Sequence, residues 1–319
     1  MIFLYILIFI ICCFVLFFVS SRIIKALSRV VKFLNWKEFI IAFCVMAITA
    51  SIPNLFVGIS SAIHKIPQLS FGDVVGGNVV DLTLAVALAV LITKGGISSK
   101  SRTVQVSSIF TIITAILPLI LILDGKLSRL DGVLLIALFF IYILWFFSKK
   151  ERFEKNINLQ IAHTTKEVSS FLKDLGIIFL GIILLLVAAE GIVRSASFFA
   201  ELFNLPLVLI GILIVGLGNA LPETYFAISA AKRGEGWMVL GDLMGAVIVP
   251  ATLVLGVVAL IRPIEIYDFS PFVIARFFMI LSAIFFFFFV RTGRKITKKE
   301  AVFLLSIYIL FILIEILTK

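Results

Sequence analysis

Two stretches of the sequence decide the fold, and they are copies of each other. The first reads Thr-Ala-Ser-Ile-Pro-Asn at 49–54, followed by Gly-Asp-Val-Val-Gly-Gly-Asn-Val-Val-Asp at 72–81. The second reads Gly-Asn-Ala-Leu-Pro-Glu at 218–223, followed by Gly-Asp-Leu-Met-Gly-Ala at 241–246. A shift of 169 positions superimposes them without a gap, and the matched pairs include Pro53 and Pro222, Gly72 and Gly241, Asp73 and Asp242, and Gly76 and Gly245. Because Pro, Gly and Asp do not match in one register by chance, we interpret the pattern as an internal duplication.

The composition predicts an all-α polytopic membrane protein. Of the 319 residues, 62% are hydrophobic and 14% are charged, and the mean hydropathy is +1.24. A soluble domain does not need this much apolar surface, and apolar runs of about 20 residues span a bilayer as helices. The sequence predicts ten transmembrane helices, at about 2–20, 38–61, 72–93, 104–123, 130–148, 171–193, 205–231, 237–261, 270–290 and 301–317.

The basic residues predict the orientation in the membrane. The first apolar run has no basic residue before it and several after it, and most of the 28 Lys and Arg residues fall in loops on one side. By the positive-inside rule, both termini lie outside, and we expect an inner (plasma) membrane location. The net charge of +10 is therefore a topology signal, and no nucleic-acid partner is expected. Residues 21–36 are read either as an amphipathic helix on the inner leaflet or as a plain basic loop.

The duplication predicts two halves of opposite orientation. We expect a first five-helix repeat at 1–148, a cytoplasmic hinge loop at 149–170 and a second five-helix repeat at 171–319. The two copies of the motif lie on spans two and seven, which are five crossings apart, so they enter the membrane from opposite sides. Inverted repeats of this kind place their substrate near the bilayer midplane, between the halves.

Acidic residues inside the predicted spans indicate the chemistry. Each costs at least about 2.5 kcal/mol on insertion scales, so its retention calls for a reason. The acids of the repeated motifs are Asp73, Asp81, Glu223 and Asp242. Pro53 and Pro222 are expected to break their helices and to free backbone carbonyls. Carboxylates, amides and free carbonyls together suit hard cations such as Ca²⁺ or Na⁺. The alternative, purely structural interpretation is that Asp73 and Asp242 are helix-start residues near the membrane interface.

At these residues the chain resembles the calcium/cation antiporter superfamily, the sodium/calcium exchanger membrane region. The repeats of that family carry a pattern like G-T-S-L-P-E, followed by G-N-x-x-G-S-N-x-x-N or -D. The resemblance implies that the residue after each proline and the residue 27 positions later meet at the centre and bind Ca²⁺ or Na⁺ in alternation. Carried onto this chain, these positions are Asn54 and Asp81 in the first half, and Glu223 and Pro250 in the second.

The chain departs from the family pattern at several of these positions. Asn54 replaces a Glu, Pro250 replaces a polar ligand, and Ala220 stands opposite Ser51. The resemblance therefore implies Asp81 and Glu223 as the metal ligands, with Asn54 and Ser51 as neutral cation ligands. The expected flanking or proton-linked residues are Asp73, Asn78, Asn219 and Asp242. The lost hydroxyl groups make proton coupling more plausible than it is for the family at large.

Three functional hypotheses remain open at this stage. The leading one is a secondary antiporter, not an enzyme, that exchanges Ca²⁺ for Na⁺ or H⁺; its partners are small cations and the lipid bilayer, and no cofactor is expected. The second is an intramembrane aspartyl protease, in which Asp73 would have to approach Asp268 of a Tyr-Asp pair. The third is a relative that keeps the scaffold and has lost transport. The sequence indicates no oligomeric state.

Overall fold

The computed structural model describes residues 2–33, 51–147, 165–266 and 270–317, and in these ranges the chain is almost entirely helical. The helices are α1 (Ile2–Phe33), α2 (Ile52–Ile63), α3 (Gln68–Ile92), α4 (Arg102–Leu121), α5 (Arg129–Phe147), α6 (Thr165–Phe203), α7 (Leu207–Lys232), α8 (Gly236–Ile261), α9 (Ser270–Arg291) and α10 (Lys298–Leu317). Nine of the helices in these ranges are long and apolar enough to cross a membrane, and α2 is shorter. The prediction of an all-α polytopic membrane protein is confirmed; residues 38–50 of the second predicted span lie outside the described residues.

The basic stretch after the first span is helical as far as Phe33, so the loop reading of residues 21–36 is wrong there, and the helix is a continuation of α1. The helix α1 continues without a break to Phe33. Ile23 and Ala26 are buried in this part of α1, and Ile23 lies against Gly181 of α6. Arg29 also reaches α6, because its guanidinium donates to both carboxylate oxygens of Asp174 at 2.5–3.0 Å. Apolar contacts and an ion pair therefore hold this segment against α6.

The helix α6 is longer at both ends than the sequence predicts. It covers 39 residues, from Thr165 to Phe203, whereas the predicted span covers 171–193. Residues 165–170, which the sequence analysis assigns to the hinge loop, are helical; residues 148–164 lie outside the described residues. At about 1.5 Å per residue, α6 is far longer than the ~30 Å hydrocarbon core of a bilayer, so it must tilt or extend beyond the membrane.

The buried apolar residues form two main cores. One core joins α1 and α6 to the near faces of α2, α3 and α7, and Leu16, Val57, Leu185 and Ile210 belong to it. The larger core fills the space among α3, α4, α5, α7, α8, α9 and α10. The helices α1 and α6 therefore form a pair that packs on one side of the remaining bundle.

Two short antiparallel ribbons tie the halves together. Ile97–Ser98, after α3, pairs with Lys295–Ile296, between α9 and α10. Lys126–Leu127, between α4 and α5, pairs with Ile264–Glu265, after α8. Each ribbon thus joins the strand after the third helix of one half to the strand between the fourth and fifth helices of the other. The ribbons lie at opposite ends of α4, roughly 30 Å apart for its 20 residues. Each half contributes one strand to each ribbon, as expected for two halves of opposite orientation.

Three helices contain a π turn, in which the backbone bonds skip one extra residue. In α3 the turn is Asp81–Ala85, in α7 it is Gly211–Val215 and in α8 it is Pro250–Val254. The turns of α3 and α8 begin 169 positions apart, in register with the duplication. Insertions of this kind occur most often at functional sites.

The prediction that Pro222 breaks its helix is wrong, because Gly216–Lys232 is continuous through Pro222. The irregularity in α7 is the π turn, which ends before Gly216. Pro53 stands in the first turn of α2, where a missing backbone donor costs little.

The helices α3 and α7 cross with almost no side chain between them. A Cβ atom on Gly72 would lie 2.1 Å from Val208 O, and one on Gly76 would lie 2.1 Å from Ile212 O. From the other side, a Cβ on Gly216 would lie 2.7 Å from Gly77 N. Only glycine allows backbones to approach this closely. The crossing brings the first-half motif of α3 against the second-half motif of α7.

Candidate functional site

Four helices that carry the repeated motifs meet in the interior. The π turn Asp81–Ala85 of α3 contacts both α7 and α8, and the π turn Pro250–Val254 of α8 contacts both α2 and α3. Gly58 of α2 lies where an added Cβ would touch Val254 of α8 and Ser70 of α3. The helices that bear the predicted site residues are therefore packed together, as the sequence analysis requires.

The four acidic residues of the motifs are all buried. Asp73 is 0% exposed, Asp81 4%, Glu223 6% and Asp242 8%. Asp73 and Asp242 are not helix-start residues, because their helices begin at Gln68 and Gly236, more than one turn earlier. Buried carboxylates are expensive unless hydrogen bonds or counter-charges satisfy them. Their partners therefore decide what each one does.

Asp73 has an internal partner that links the two halves. The side-chain nitrogen Nδ2 of Asn219 on α7 donates to Asp73 Oδ1 at 2.9 Å and to Oδ2 at 3.0 Å. Both residues are buried, and the bond lies beside the glycine crossing of α3 and α7. This carboxylate is satisfied without an ion, and its geometry assigns it to positioning the two helices.

Asp242 is the repeat equivalent of Asp73, but it has a different environment. The residue that corresponds to Asn219 in the first half is Ala50, which has no side-chain donor. In the described part of the chain, Asp242 Oδ2 is buried and has no hydrogen-bond partner. The duplicated aspartates are therefore not equivalent: one is held by an amide, and the other presents an unsatisfied oxygen.

Asp242, Asp81 and Glu223 form one electrostatic group. The charge of Glu223 interacts with Asp81, with Asp242 and, most weakly, with Asp73, and the charge of Asp81 interacts with Asp242. Asp81 Oδ1 and Glu223 Oε2 are also buried without a hydrogen-bond partner among the described residues. Three carboxylates that repel one another in the interior, each with an unsatisfied oxygen, favour a bound cation or protons. The sequence analysis placed Asp242 among the flanking residues; like Asp81 and Glu223, it has a buried oxygen without a hydrogen-bond partner among the described residues.

The predicted neutral ligands lie on the same helices. Asn54 stands in the first turn of α2, and its side-chain oxygen Oδ1 is buried without a partner in the described ranges. Ser51 at the start of α2 and Asn78 on α3 are buried as well. These polar side chains lie on the helices that carry the motif acids.

Pro250 replaces an expected polar ligand, and the structure shows what it does. It is the first residue of the π turn in α8, at the position that Asp81 holds in α3. In both turns a threonine donates to the carbonyl four residues back: Thr83 to Val79 O, and Thr252 to Ile248 O. Proline has no N–H to donate, so it fits a turn in which the regular bonding pattern is interrupted. The symmetric threonines were not singled out by the sequence analysis; their matching spacing after Asp81 and Pro250 was the available signal.

The carboxylates do not make a metal site on their own. Among the described residues, no three His, Cys, Asp or Glu side chains come close enough together to hold a metal ion. Ca²⁺ takes six to eight oxygen ligands, and carbonyl and amide oxygens commonly supply several of them. The arrangement therefore fits a cation that is held by no more than two carboxylates together with neutral oxygens.

A second polar cluster, which the sequence analysis did not predict, joins α2 to α6. Glu190 of α6 accepts hydrogen bonds from Ser60 Oγ at 2.9 Å and from Arg194 Nε at 2.7 Å. His64 Nε2 lies 3.1 Å from Glu190 Oε1. His64 forms this contact at the end of α2. Glu190 is partly exposed and satisfied, so it is separate from the candidate cation site.

Fold and site together define a class of protein: a polytopic membrane transporter of two helical repeats, with acidic side chains buried where the repeats meet. The chain belongs to the sodium/calcium exchanger protein family, whose model matches residues 4–148 and 173–317, one match for each half. Membership confirms the resemblance drawn from the motifs and the prediction of a cation antiporter that is not an enzyme. The aspartyl protease alternative is not favoured; Asp268 lies outside the described residues, and Asp73 is bonded to Asn219.

Individual relatives and solved structures agree with the family. The chain is 26% identical to the sodium/calcium exchanger MaX1 of Methanosarcina acetivorans, with 92% of this chain and 93% of MaX1 covered. It is also 26% identical to the inner membrane protein YrbG of Escherichia coli, with 77% of each chain covered. A structure of the sodium-calcium exchanger NCX_Mj soaked with Na⁺ and Sr²⁺ superimposes with a TM-score of 0.66 at 25% identity, over 98% of this chain and 99% of that one.

Proposed function

We propose that this protein is a secondary antiporter that moves Ca²⁺ across the membrane in exchange for Na⁺ or H⁺. The observation that carries the proposal is the set of unsatisfied, buried oxygens of Asp81, Glu223 and Asp242. Burying ionisable groups in a membrane protein costs free energy, and binding of a transported cation offsets that cost. Asn54 and Ser51 act as neutral ligands. The inner membrane location, with both termini outside, is part of the proposal.

Competition between ions follows from the charges. Mutual repulsion among Asp81, Glu223 and Asp242 is relieved by one divalent cation, or by sodium ions or protons that take its place. A site that must always be neutralised, but by only one kind of ion at a time, couples the two fluxes. Alternating access then requires movement of one helix group against the other around the site. The α1–α6 pair, which packs on one side of the bundle, is the natural moving unit.

The direct test is uptake of labelled calcium into vesicles that contain the purified protein. We expect uptake when an outward sodium or proton gradient is imposed, and none without a gradient. Glu223→Gln should abolish this uptake, because it removes a central negative charge. Glu201→Gln, at an exposed position on α6, is the matched control and should transport normally. Equal flux in the Glu223→Gln variant and the unmodified protein would contradict the proposal.

The inactive-scaffold alternative has one specific basis, which is that Asn54 and Pro250 replace usual ligands. Thermal unfolding in detergent distinguishes the two functions, because a ligand that binds only the native state raises stability by RT ln(1 + [L]/Kd). A transporter should gain stability with millimolar Ca²⁺, and Glu223→Gln should lose that gain. A scaffold without a site should show the same unfolding temperature with and without Ca²⁺.

A further inference from the structure

An apolar cleft lies between α1 and α7. Its volume is about 900 Å³, and its lining includes Phe9, Phe14, Phe18, Leu217, Leu221 and Tyr225. Phe14, Phe18, Leu221 and Tyr225 are exposed, so the cleft opens to the surroundings of the bundle. In a membrane-spanning protein those surroundings are lipid.

The two walls of the cleft run in the same direction. Near its start, a Cβ on Gly218 would lie 3.4 Å from Cys13 Sγ; farther along both helices, the rings of Phe17 and Tyr225 meet edge to face at 6.0 Å. Residue numbers therefore rise together along α1 and α7. From Phe9 to Phe18 the cleft is about 14 Å long at 1.5 Å per residue. That is close to half of the ~30 Å hydrocarbon core, which is the depth of one leaflet.

Basic residues follow the cleft at one end. On α1, Arg22 and Lys25 come four and seven residues after Phe18, which keeps them on the face that lines the cleft. On α7, Lys232 comes seven residues after Tyr225, and all three cations are exposed. Because the helices run in parallel, both sets of charges lie beyond the same end. No carboxylate in the described ranges forms a salt bridge with any of the three.

We propose that this cleft binds one anionic glycerophospholipid, with its acyl chains in the cleft and its phosphate at Arg22, Lys25 and Lys232. The length of the cleft fits the chains of one leaflet, and the charges complement an anionic headgroup. By the positive-inside prediction this end faces the cytoplasm, whose leaflet is rich in anionic lipid. A zwitterionic lipid would fill the same groove without the charge contribution.

The lipid would sit behind the helix that carries the candidate site. Gly218 and Pro222 line the cleft, whereas the next residues, Asn219 and Glu223, are buried about 100° farther round α7. A lipid bridging α1 and α7 therefore stabilises one relative position of the two helices. The binding site stands independently of the proposed calcium transport, since it rests on different residues.

The test uses Phe14→Trp as a reporter within the cleft, in a variant whose three native tryptophans are replaced by phenylalanine, and lipids with brominated acyl chains, which quench tryptophan on contact. The protein is placed in phosphatidylcholine nanodiscs with increasing brominated phosphatidylglycerol, and separately with brominated phosphatidylcholine. Near a membrane surface each Lys or Arg favours an anionic lipid by about fivefold. We expect phosphatidylglycerol to reach half-quenching at a mole fraction at least tenfold lower than phosphatidylcholine.

Charge variants decide the outcome. Arg22→Gln, Lys25→Gln and Lys232→Gln together should abolish the preference for phosphatidylglycerol and leave the quenching by phosphatidylcholine unchanged. The control combines Arg294→Gln, Lys298→Gln and Lys299→Gln, which remove the same charge on the same predicted side but away from the cleft, and should keep the preference. Equal quenching by both lipids, or equal losses in the two triple variants, would overturn the proposal.

A second measurement does not depend on the reporter. Native mass spectrometry of the unmodified protein should show one retained phosphatidylglycerol molecule that the Arg22, Lys25 and Lys232 triple variant loses. Inorganic phosphate at millimolar concentration should not displace it, because the chains contribute to binding. Complete displacement by phosphate would show a site for the headgroup alone and would also overturn the proposal.

Discussion

Asp73 and Asp242 occupy matched positions in the two halves, yet they have different surroundings. Asn219 donates two hydrogen bonds to Asp73, and the first-half equivalent of Asn219 is Ala50. An aspartate that accepts hydrogen bonds from a neutral amide on both oxygens needs no bound ion to satisfy its carboxylate. An aspartate without one depends on an ion, a proton or another ligand. The two halves have thus acquired distinct roles while keeping the same residue.

This difference predicts that the same Asp-to-Asn substitution has unequal effects on Ca²⁺ affinity at the two positions. Asp242→Asn should weaken Ca²⁺ binding by roughly tenfold, about 1.4 kcal/mol, because it removes a buried negative charge that has no hydrogen-bond partner on one of its oxygens. Asp73→Asn should change Ca²⁺ affinity little, because that carboxylate is already paired. Isothermal titration with Ca²⁺ in detergent measures both. A larger loss of affinity in Asp73→Asn than in Asp242→Asn would contradict the assignment.

A related prediction concerns stability. Asn219→Ala leaves the buried Asp73 carboxylate without its two donors, which should cost about 1–3 kcal/mol and lower the unfolding temperature. Ser306→Ala is the control, because Ser306 is exposed and bonds only to its own helix at Phe303 O. Thermal unfolding in detergent compares the two variants. An unfolding temperature for Asn219→Ala no lower than that of Ser306→Ala would show that the amide is dispensable.

For single residues, the sequence predicts which acids lie in the site, but it does not predict which of them interact with one another. The repeated motifs identify all four acids, and the structure buries each of them. The grouping of Asp242 with Asp81 and Glu223, and the separate pairing of Asp73, depend on how two inverted halves interlock. That arrangement is a long-range property, and no local pattern in the sequence encodes it.

Among the elements, the crossing of α3 and α7 is the closest contact in the described part of the site. Its geometry explains why Gly72 and Gly76 stand four residues apart on α3: each removes a side chain where a backbone carbonyl of α7 approaches. Close packing of this kind is a main source of helix association in lipid, where burial of apolar surface contributes little.

Two neighbouring glycines on α3 provide a matched test of the crossing. Gly76→Ala would place its Cβ 2.1 Å from Ile212 O, so the helices must separate, at a cost of about 2 kcal/mol or more. Gly77→Ala finds its nearest neighbour, Gly216 O, at 3.6 Å, which is ordinary contact. Size-exclusion profiles and unfolding temperatures should show a damaged Gly76→Ala and a nearly normal Gly77→Ala. Similar behaviour of both variants would refute the described packing.

The positions at which helices are interrupted were harder to predict than the helices themselves. The sequence analysis expected breaks at Pro53 and Pro222 from their missing donors, but α7 passes through Pro222 unbroken. The interruptions in α3 and α8 are π turns that begin at Asp81 and Pro250. For Pro250 the sequence shows a chemical reason for the π turn, because proline has no N–H to donate. Asp81 adopts the same backbone conformation at the equivalent position of the other repeat.

For the whole molecule, composition and duplication were sufficient to predict the architecture. Ten spans in two repeats follow from long apolar runs and a 169-residue register, and the family match to residues 4–148 and 173–317 agrees. The two ribbons that exchange strands between halves were not predicted. Strands of two residues have no detectable periodicity, and their partners lie more than a hundred residues away.

The orientation of the halves can be tested at Lys126 and Lys295, which are repeat equivalents and lie in different ribbons. In a variant whose three native cysteines are replaced by alanine, Lys126→Cys should react with a membrane-impermeant thiol reagent applied outside cells. Lys295→Cys should react only after permeabilisation. Inverted halves require opposite sides for the pair, so labelling of both from the same side would refute the predicted topology.

The strand exchange has a consequence for any unduplicated ancestor. A chain of five helices would contain one strand of each ribbon and could complete neither by itself. Two such chains inserted in opposite directions would supply each other's missing strands and would close both ribbons at once. Gene fusion would then have fixed a pairing that already existed between separate subunits, and it would have freed the twin aspartates to diverge.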